Sequence, residues 1–171
     1  MDDLAHDLRR RWFSRYNHGM TMFTIKALTP DDLALLMSAA DDVFDDRVDE
    51  NFAREFLNDP RHHIVVALSG GVIVGFASAV HYIHPDKPPE LWINEVGVAV
   101  SHHRQGIGKA IMKEILQLGR RLGCKNAWVL TDHGNEAANR LYRSAGGQTN
   151  QEKTMLYEFD LAPDQSPRRS T

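Results

Sequence analysis

One carboxylate and one glycine-bearing turn stand out among the 171 residues. Glu95 sits inside LWINEVGVAV (Leu91–Val100), an otherwise near-continuous apolar run. A carboxylate there costs free energy unless it is paired or hydrated through a cleft. Burial raises its pKa toward neutrality, where a carboxylate can serve as a general base. The run passes through Ser101, His102 and His103 into Arg104, Gln105, Gly106, Ile107, Gly108 and Lys109, where helical periodicity begins. A strand entering a glycine turn at a helix start can hold an anion. The first helical N–H groups lack intrahelical partners, and the helix dipole favours negative charge beside them. Gly106 and Gly108 remove side chains where a phosphate would approach the backbone, and Arg104 and Lys109 can add positive charge.

Two further groups of residues invite chemistry. Asp41, Asp42, Asp45, Asp46, Asp49 and Glu50 crowd around a single Arg47. Base rates favour a solvated surface; the sharper reading is an electrostatic patch for a polycationic ligand. The nine histidines include the neighbours His62-His63 and His102-His103. Adjacent residues on a strand point to opposite faces, and neither HExxH nor CxxC occurs, so no metal site is expected. His133 is read as a surface loop residue.

The elements that must position these residues follow from periodicity and punctuation. Residues 1–21 read as an extension, with Leu4, Leu8 and Trp12 at helical spacing beside Arg9, Arg10 and Arg11. The domain is expected over 22–161, opening with a strand at Phe23–Leu28. Thr29 caps a helix whose apolar face is Leu33, Leu36, Met37 and Ala40. A second helix places Phe52, Phe56 and Leu57 inward and stops at Pro60. His63–Leu68 and Val72–Ile83 form a hairpin across Ser69-Gly70-Gly71. Leu91–Val100 is the central strand, its apolar character predicting burial on both faces. Gln105–Leu122 is a helix with an Ile107, Ile111, Ile115 and Leu118 stripe. A strand at Asn126–Thr131, a helix at Glu136–Ala145 capped by Asn135, and a strand at Lys153–Leu161 complete the domain, and 162–171 form a disordered polar tail. The order β-α-α-β-β-β-α-β-α-β makes an α/β (α+β) domain.

Composition narrows the function classes. A net charge of −3 argues against a nucleic-acid partner. No apolar run is long enough to cross a membrane, and the acidic first residues do not resemble a secretory signal. The single cysteine, Cys124, forms no internal disulfide, which fits a cytoplasmic protein.

The strand NEVGVAV, the turn HRQGIGKAIM and the later NEAANRLY followed by Gly146 together resemble the GNAT superfamily of N-acetyltransferases. The resemblance runs from Phe23 to Leu161, with His103 where the superfamily pattern has Gln or Arg. It implies a mixed, mostly antiparallel sheet flanked by helices, with a splayed central strand pair that takes acetyl-CoA. It implies that Val98, Ala99, Val100, His103, Arg104, Gln105, Gly106, Ile107, Gly108, Lys109, Asn135, Ala138 and Tyr142 hold the coenzyme. Glu95 is then the base, direct or through water, Tyr142 the proton donor to the leaving thiolate, and Cys124 plain core. VFDDRVDE, PPELWINEVGVAVSHHRQGIG, TDHGNEAANRLY and TMLYEFDL are further similar to the small aminoglycoside 3-N-acetyltransferases of the gentamicin-modifying type. That similarity implies antibiotic resistance through a cationic small-molecule acceptor, bound by Asp41, Asp42, Asp45, Asp46, Asp132 and Glu136, with Asp49 and Glu158 adding to the field. A polyamine, a protein or peptide amine, or a non-catalytic acyl-CoA-binding module stay open as alternatives. A homodimer is the expected assembly.

Overall fold

The computed structural model describes residues 14–18 and 21–149, with side chains from Phe23 onward. The expected Leu4–Trp12 helix, the Lys153–Leu161 strand and the 162–171 tail lie outside the described residues.

Six strands form one sheet in the order β1-β2-β3-β4-β5-β6. They are β1 (Ser14–His18), β2 (Thr21–Ala27), β3 (His62–Ser69), β4 (Val72–Tyr82), β5 (Glu90–Val98) and β6 (Asn126–Val129). The first four pairings are antiparallel and β5–β6 is parallel, so the sheet is mixed and mostly antiparallel, as expected. β1 pairs with β2 from Ser14 to His18, so the sheet starts ahead of Met22, inside the stretch read as an extension. Its register partners include Phe23 and Ile25, which are buried.

Helices cover both faces, as strand alternation in β4 makes plain. Gly75 lies under Ile107 and Ile111 of α3 (Ile107–Arg121). Phe76 and Ser78 face the other side, toward α1 (Leu33–Leu36) and α2 (Glu50–Asn58). The α3 stripe is the predicted one: Ile107, Ile111 and Ile115 are fully buried. Thr29 forms a capping box with Asp32, but the helix it opens is shorter than expected, a 3-10 turn at Pro30–Asp32 followed by one turn of α1. α4 (Glu136–Ser144) packs on the start of α3, where Leu141 lies against Gly108. Asn135 caps α4 by accepting from Ala138 N–H at 3.0 Å.

Three packing expectations fail. Phe52 was expected inward but is 75% exposed; Ala53 and Leu57 carry the buried face of α2 instead. Met37 is exposed as well. β5 is not buried on both faces: Leu91 and Ile93 are, whereas Trp92 and Asn94 are exposed and Glu95 to Val98 are intermediate. Apolar character records what could be covered; at Phe52, Asn94 and Glu95 an open cleft takes the place of the cover.

Candidate active site

Two irregularities in β5 create the cleft. β6 pairs with β5 only from Glu90 to Ile93, while β5 runs on to Val98. The two parallel strands therefore part beyond Ile93 and Val129, which is the splay that the family resemblance implies. On the other edge the register with β4 shifts: Ser78 faces Glu95 but Ala79 faces Ile93, leaving Asn94 as an extra residue. Such a bulge re-aims side chains and backbone groups. Here it turns Glu95 onto the face that carries Phe76 and Ser78.

That face is the floor of a cavity of about 490 Å³. Glu95, Asn94, Ser78, Phe76 and Ile64 come from the sheet, and Phe52, Ala53 and Phe56 from α2. Asp45, Asp46 and Asp49 come from the acidic segment. Burial, helped by the nearby Asp45 charge, holds the Glu95 carboxyl above its ordinary range. A carboxyl so placed is suited to receive a proton from a bound ammonium near neutral pH.

The acidic segment is not a loosely solvated loop. Ala40 N–H donates to the Ile73 carbonyl at 3.0 Å, and Asp42 accepts from Val100 N–H at 2.8 Å. Phe44 lies on Phe76 with ring centroids 4.0 Å apart. The Val43 carbonyl crosses directly over Gly97, where any Cβ would lie 2.5 Å from that oxygen. Glycine at 97 is thus what lets the segment close onto β5. Asp49 caps α2 through hydrogen bonds from Asn51 and Phe52 N–H.

The structure therefore divides the predicted acceptor residues. Asp45 and Asp46 join Glu95 at the cavity. Asp41 is exposed outside it, and Asp42 is used in fastening the segment to the β5 end. Asp132 and Glu136 lie at the start of α4 and do not line this cavity; Asp132 C=O accepts from Asn135 N–H, and Glu136 pairs with Arg140. A charge run does not distinguish such tasks. Ser78 was not foreseen, although it is the lone hydroxyl in the apolar stretch Val72–Val80.

The glycine turn lies past the C-terminal end of β5. Val98 and Ala99 lead into a 3-10 turn at Val100–His102. Ala99 N–H donates to the Val74 carbonyl, and His103 Nε2 to the Val98 carbonyl at 2.8 Å. Gln105 donates to the Ser101 carbonyl. Arg104 adopts a positive φ of 62°, the single non-glycine to do so among the described residues. Gly106, at φ 81°, is the N-cap of α3 and offers no side chain to its first amides. The N–H groups of Ile107, Gly108 and Lys109 thus open the helix without a side-chain cap, flanked by exposed Arg104 and Lys109. This cradle fits a diphosphate.

Tyr142 is half-buried on α4, next to Leu141, and burial raises its hydroxyl pKa. It stays protonated and can donate. Cys124 packs partly against the core, and burial raises its thiol pKa. His133 is exposed. Among the described residues no group of three metal-ligating side chains occurs, and no helix is long and apolar enough to cross a membrane. His63 and His81 form a cross-strand pair with ring nitrogens 2.7 Å apart.

Comparison with known proteins places this geometry. Residues 28–146 match the model of the Acetyltransferase (GNAT) family. The chain is 34% identical to the N-alpha-acetyltransferase RimI of Mycobacterium tuberculosis, over 70% of this chain and 73% of that protein. Its fold is similar to an aminoglycoside acetyltransferase from an uncultured soil metagenomic sample, solved in complex with sisomicin. There the TM-score is 0.71 at 21% identity, covering 80% of this chain and 95% of that one. It is also similar to AAC(6')-Iy in complex with the bisubstrate analog CoA-S-monomethyl-acetylneamine, with TM-score 0.67 at 19% identity over 81% and 98%.

Proposed function

The chain belongs to the GNAT acetyltransferase family, and from that premise we propose that it transfers acetyl from acetyl-CoA directly to an amine of a cationic acceptor. One observation carries the reading: Glu95 shares a single cavity with Asp45, Asp46 and Asp49. Acetyl-CoA supplies the activated acyl group as its thioester. The turn from His103 to Lys109 holds the diphosphate through main-chain donors, Val98, Ala99 and Val100 flank the pantetheine arm, and Asn135 and Ala138 border it. A β5 N–H at Gly97 or Val98 polarises the thioester carbonyl. Glu95 takes one ammonium proton, the neutral nitrogen attacks, and Tyr142 protonates the departing thiolate, whose solution pKa is about 8.5 by analogy with cysteine; the second proton, shed by nitrogen as the amide forms, restores the Tyr142 hydroxyl.

The acceptor we propose is an aminoglycoside-type polycation. Asp45, Asp46 and Asp49 supply the field such a ligand needs, and the aromatic side chains of Phe44, Phe52 and Phe56 supply contact area for sugar rings. The 3-amino group is the position implied by the sequence resemblance. A second reading, an α-amino group of a protein chain, is favoured by the similarity to RimI. A homodimer belongs to the same proposal, and light scattering measures it. The deciding experiment follows thiol release from acetyl-CoA with gentamicin-type aminoglycosides, spermidine and short peptides with free N-termini. Turnover with aminoglycosides supports the first reading. Turnover with peptides alone overturns it in favour of the second.

A further inference from the structure

Ser78 lies at the middle of β4, between Ile64 of β3 and Glu95 of β5, with which it is in direct register. It is 7% exposed, the single buried polar residue in the described core, and it lines the cavity beside Glu95. Its Oγ is buried and has no hydrogen-bond partner among the described residues. A buried hydroxyl left unpaired is a standing cost, and native structures satisfy such groups with protein or ordered water. Neighbours in direct register project from adjacent positions on one face, so a water in the cavity can reach both side chains. The cavity has ample room for one.

We propose that Ser78 is a positioning residue: its hydroxyl, with the Glu95 carboxylate, holds the water through which the acceptor ammonium is deprotonated. The ammonium passes one proton to this water as the water passes one of its own to Glu95. The products are a neutral amine, an unchanged water and a protonated Glu95. The inference rests on the proposed role of Glu95 and decides that the base acts through water. The ionisable groups around Glu95 in the cavity are Asp45 and Asp46 of the acidic segment and Asp49 at the start of α2. Among the described residues no cation lines the cavity to stabilise the carboxylate, so a water held by Ser78 has a measurable effect on it.

The test needs no acceptor in its first arm. The Glu95 carboxyl is followed by carbon-13 NMR titration in labelled wild type, Ser78→Ala and Ser78→Thr, with Glu95→Gln assigning the resonance. Ser78→Ala is expected to raise the Glu95 midpoint by about one pH unit, and Ser78→Thr to restore it. With the acceptor found in the thiol-release screen, Ser78→Ala is expected to lower kcat about tenfold, with KM for acetyl-CoA unchanged. Its Tm is expected to stay within a few degrees of the wild-type value, since the partner the hydroxyl loses is a single water. A midpoint and kcat that coincide with wild type while Glu95→Gln is inactive overturn the serine inference alone. Full activity in Glu95→Gln overturns the proposed base and the inference together. A large loss of Tm in Ser78→Ala that Ser78→Thr reverses, with the Glu95 midpoint unmoved, shows the hydroxyl bonded within the fold and overturns it as well.

Discussion

Gly97→Ala is the sharpest probe of how the acidic segment is seated. Gly97 does not have a positive φ, so alanine suits its backbone and the effect is steric alone. The new methyl would lie 2.5 Å from the Val43 carbonyl oxygen and 2.8 Å from Cε1 of Phe76. Ordinary contact begins at 3.4 Å, so the segment must lift by about 0.9 Å. Three attachments resist: the Ala40–Ile73 bond, the Asp42–Val100 bond, and Phe44 on Phe76. Overpacking of this kind costs about 1–3 kcal/mol. In a chain of this size that lowers Tm by roughly 2–12 °C. The lift also carries Asp45 and Asp46 away from Glu95, and kcat/KM for the acceptor is expected to fall about tenfold to a hundredfold. KM for acetyl-CoA should stay within about twofold, because the turn from Arg104 to Lys109 is untouched. Differential scanning calorimetry and steady-state kinetics read both effects. A Gly97→Ala protein with wild-type Tm and acceptor kinetics would refute the claim that this contact positions the cavity wall.

Glu95→Gln should lower kcat about a hundredfold or more without weakening acetyl-CoA binding, as measured by thiol release and calorimetry. Wild-type kcat/KM should rise with pH through the elevated Glu95 midpoint, and Asp45→Asn should move that limb to lower pH by removing the like charge that raises it. Arg104→Ala with Lys109→Ala should weaken acetyl-CoA binding several-fold, most strongly at low salt, in titrations at two ionic strengths. Burial and the neighbouring His81 depress the His63 pKa from 6.5 to about 4. Its neutral form stabilises the fold fully above pH 6.5, and that stability is lost as pH falls toward 4, a span of about 3 kcal/mol. Urea midpoints between pH 7 and 4 should show the loss in wild type and a smaller one in His63→Phe.

What the sequence disclosed was where order is local and repetitive. The Ile107–Leu118 stripe, the Gly70-Gly71 hairpin and the Asn135 cap each follow from a period or a short turn. Glu95 was legible because a charge contradicts its apolar neighbours. Phe52 and the second face of β5 were misread because periodicity identifies an apolar face without telling whether anything packs on it. Asp42 and Asp45 look alike in sequence; only the three-dimensional path of the segment sends one carboxylate to Val100 and the other toward Glu95. Ser78 gave a faint signal, a hydroxyl among alanines, whose meaning depends on the register with β5.

Asp49 serves two masters. One of its oxygens secures the first amides of α2 while the side chain borders the acceptor cavity. Replacing it with a residue that cannot cap, as Asp49→Ala would, also loosens the helix that carries Phe52 and Phe56, whereas asparagine removes the charge and keeps the cap. A mutant library meant to broaden the range of amines should therefore vary positions 45 and 46 freely and hold 49 to capping residues.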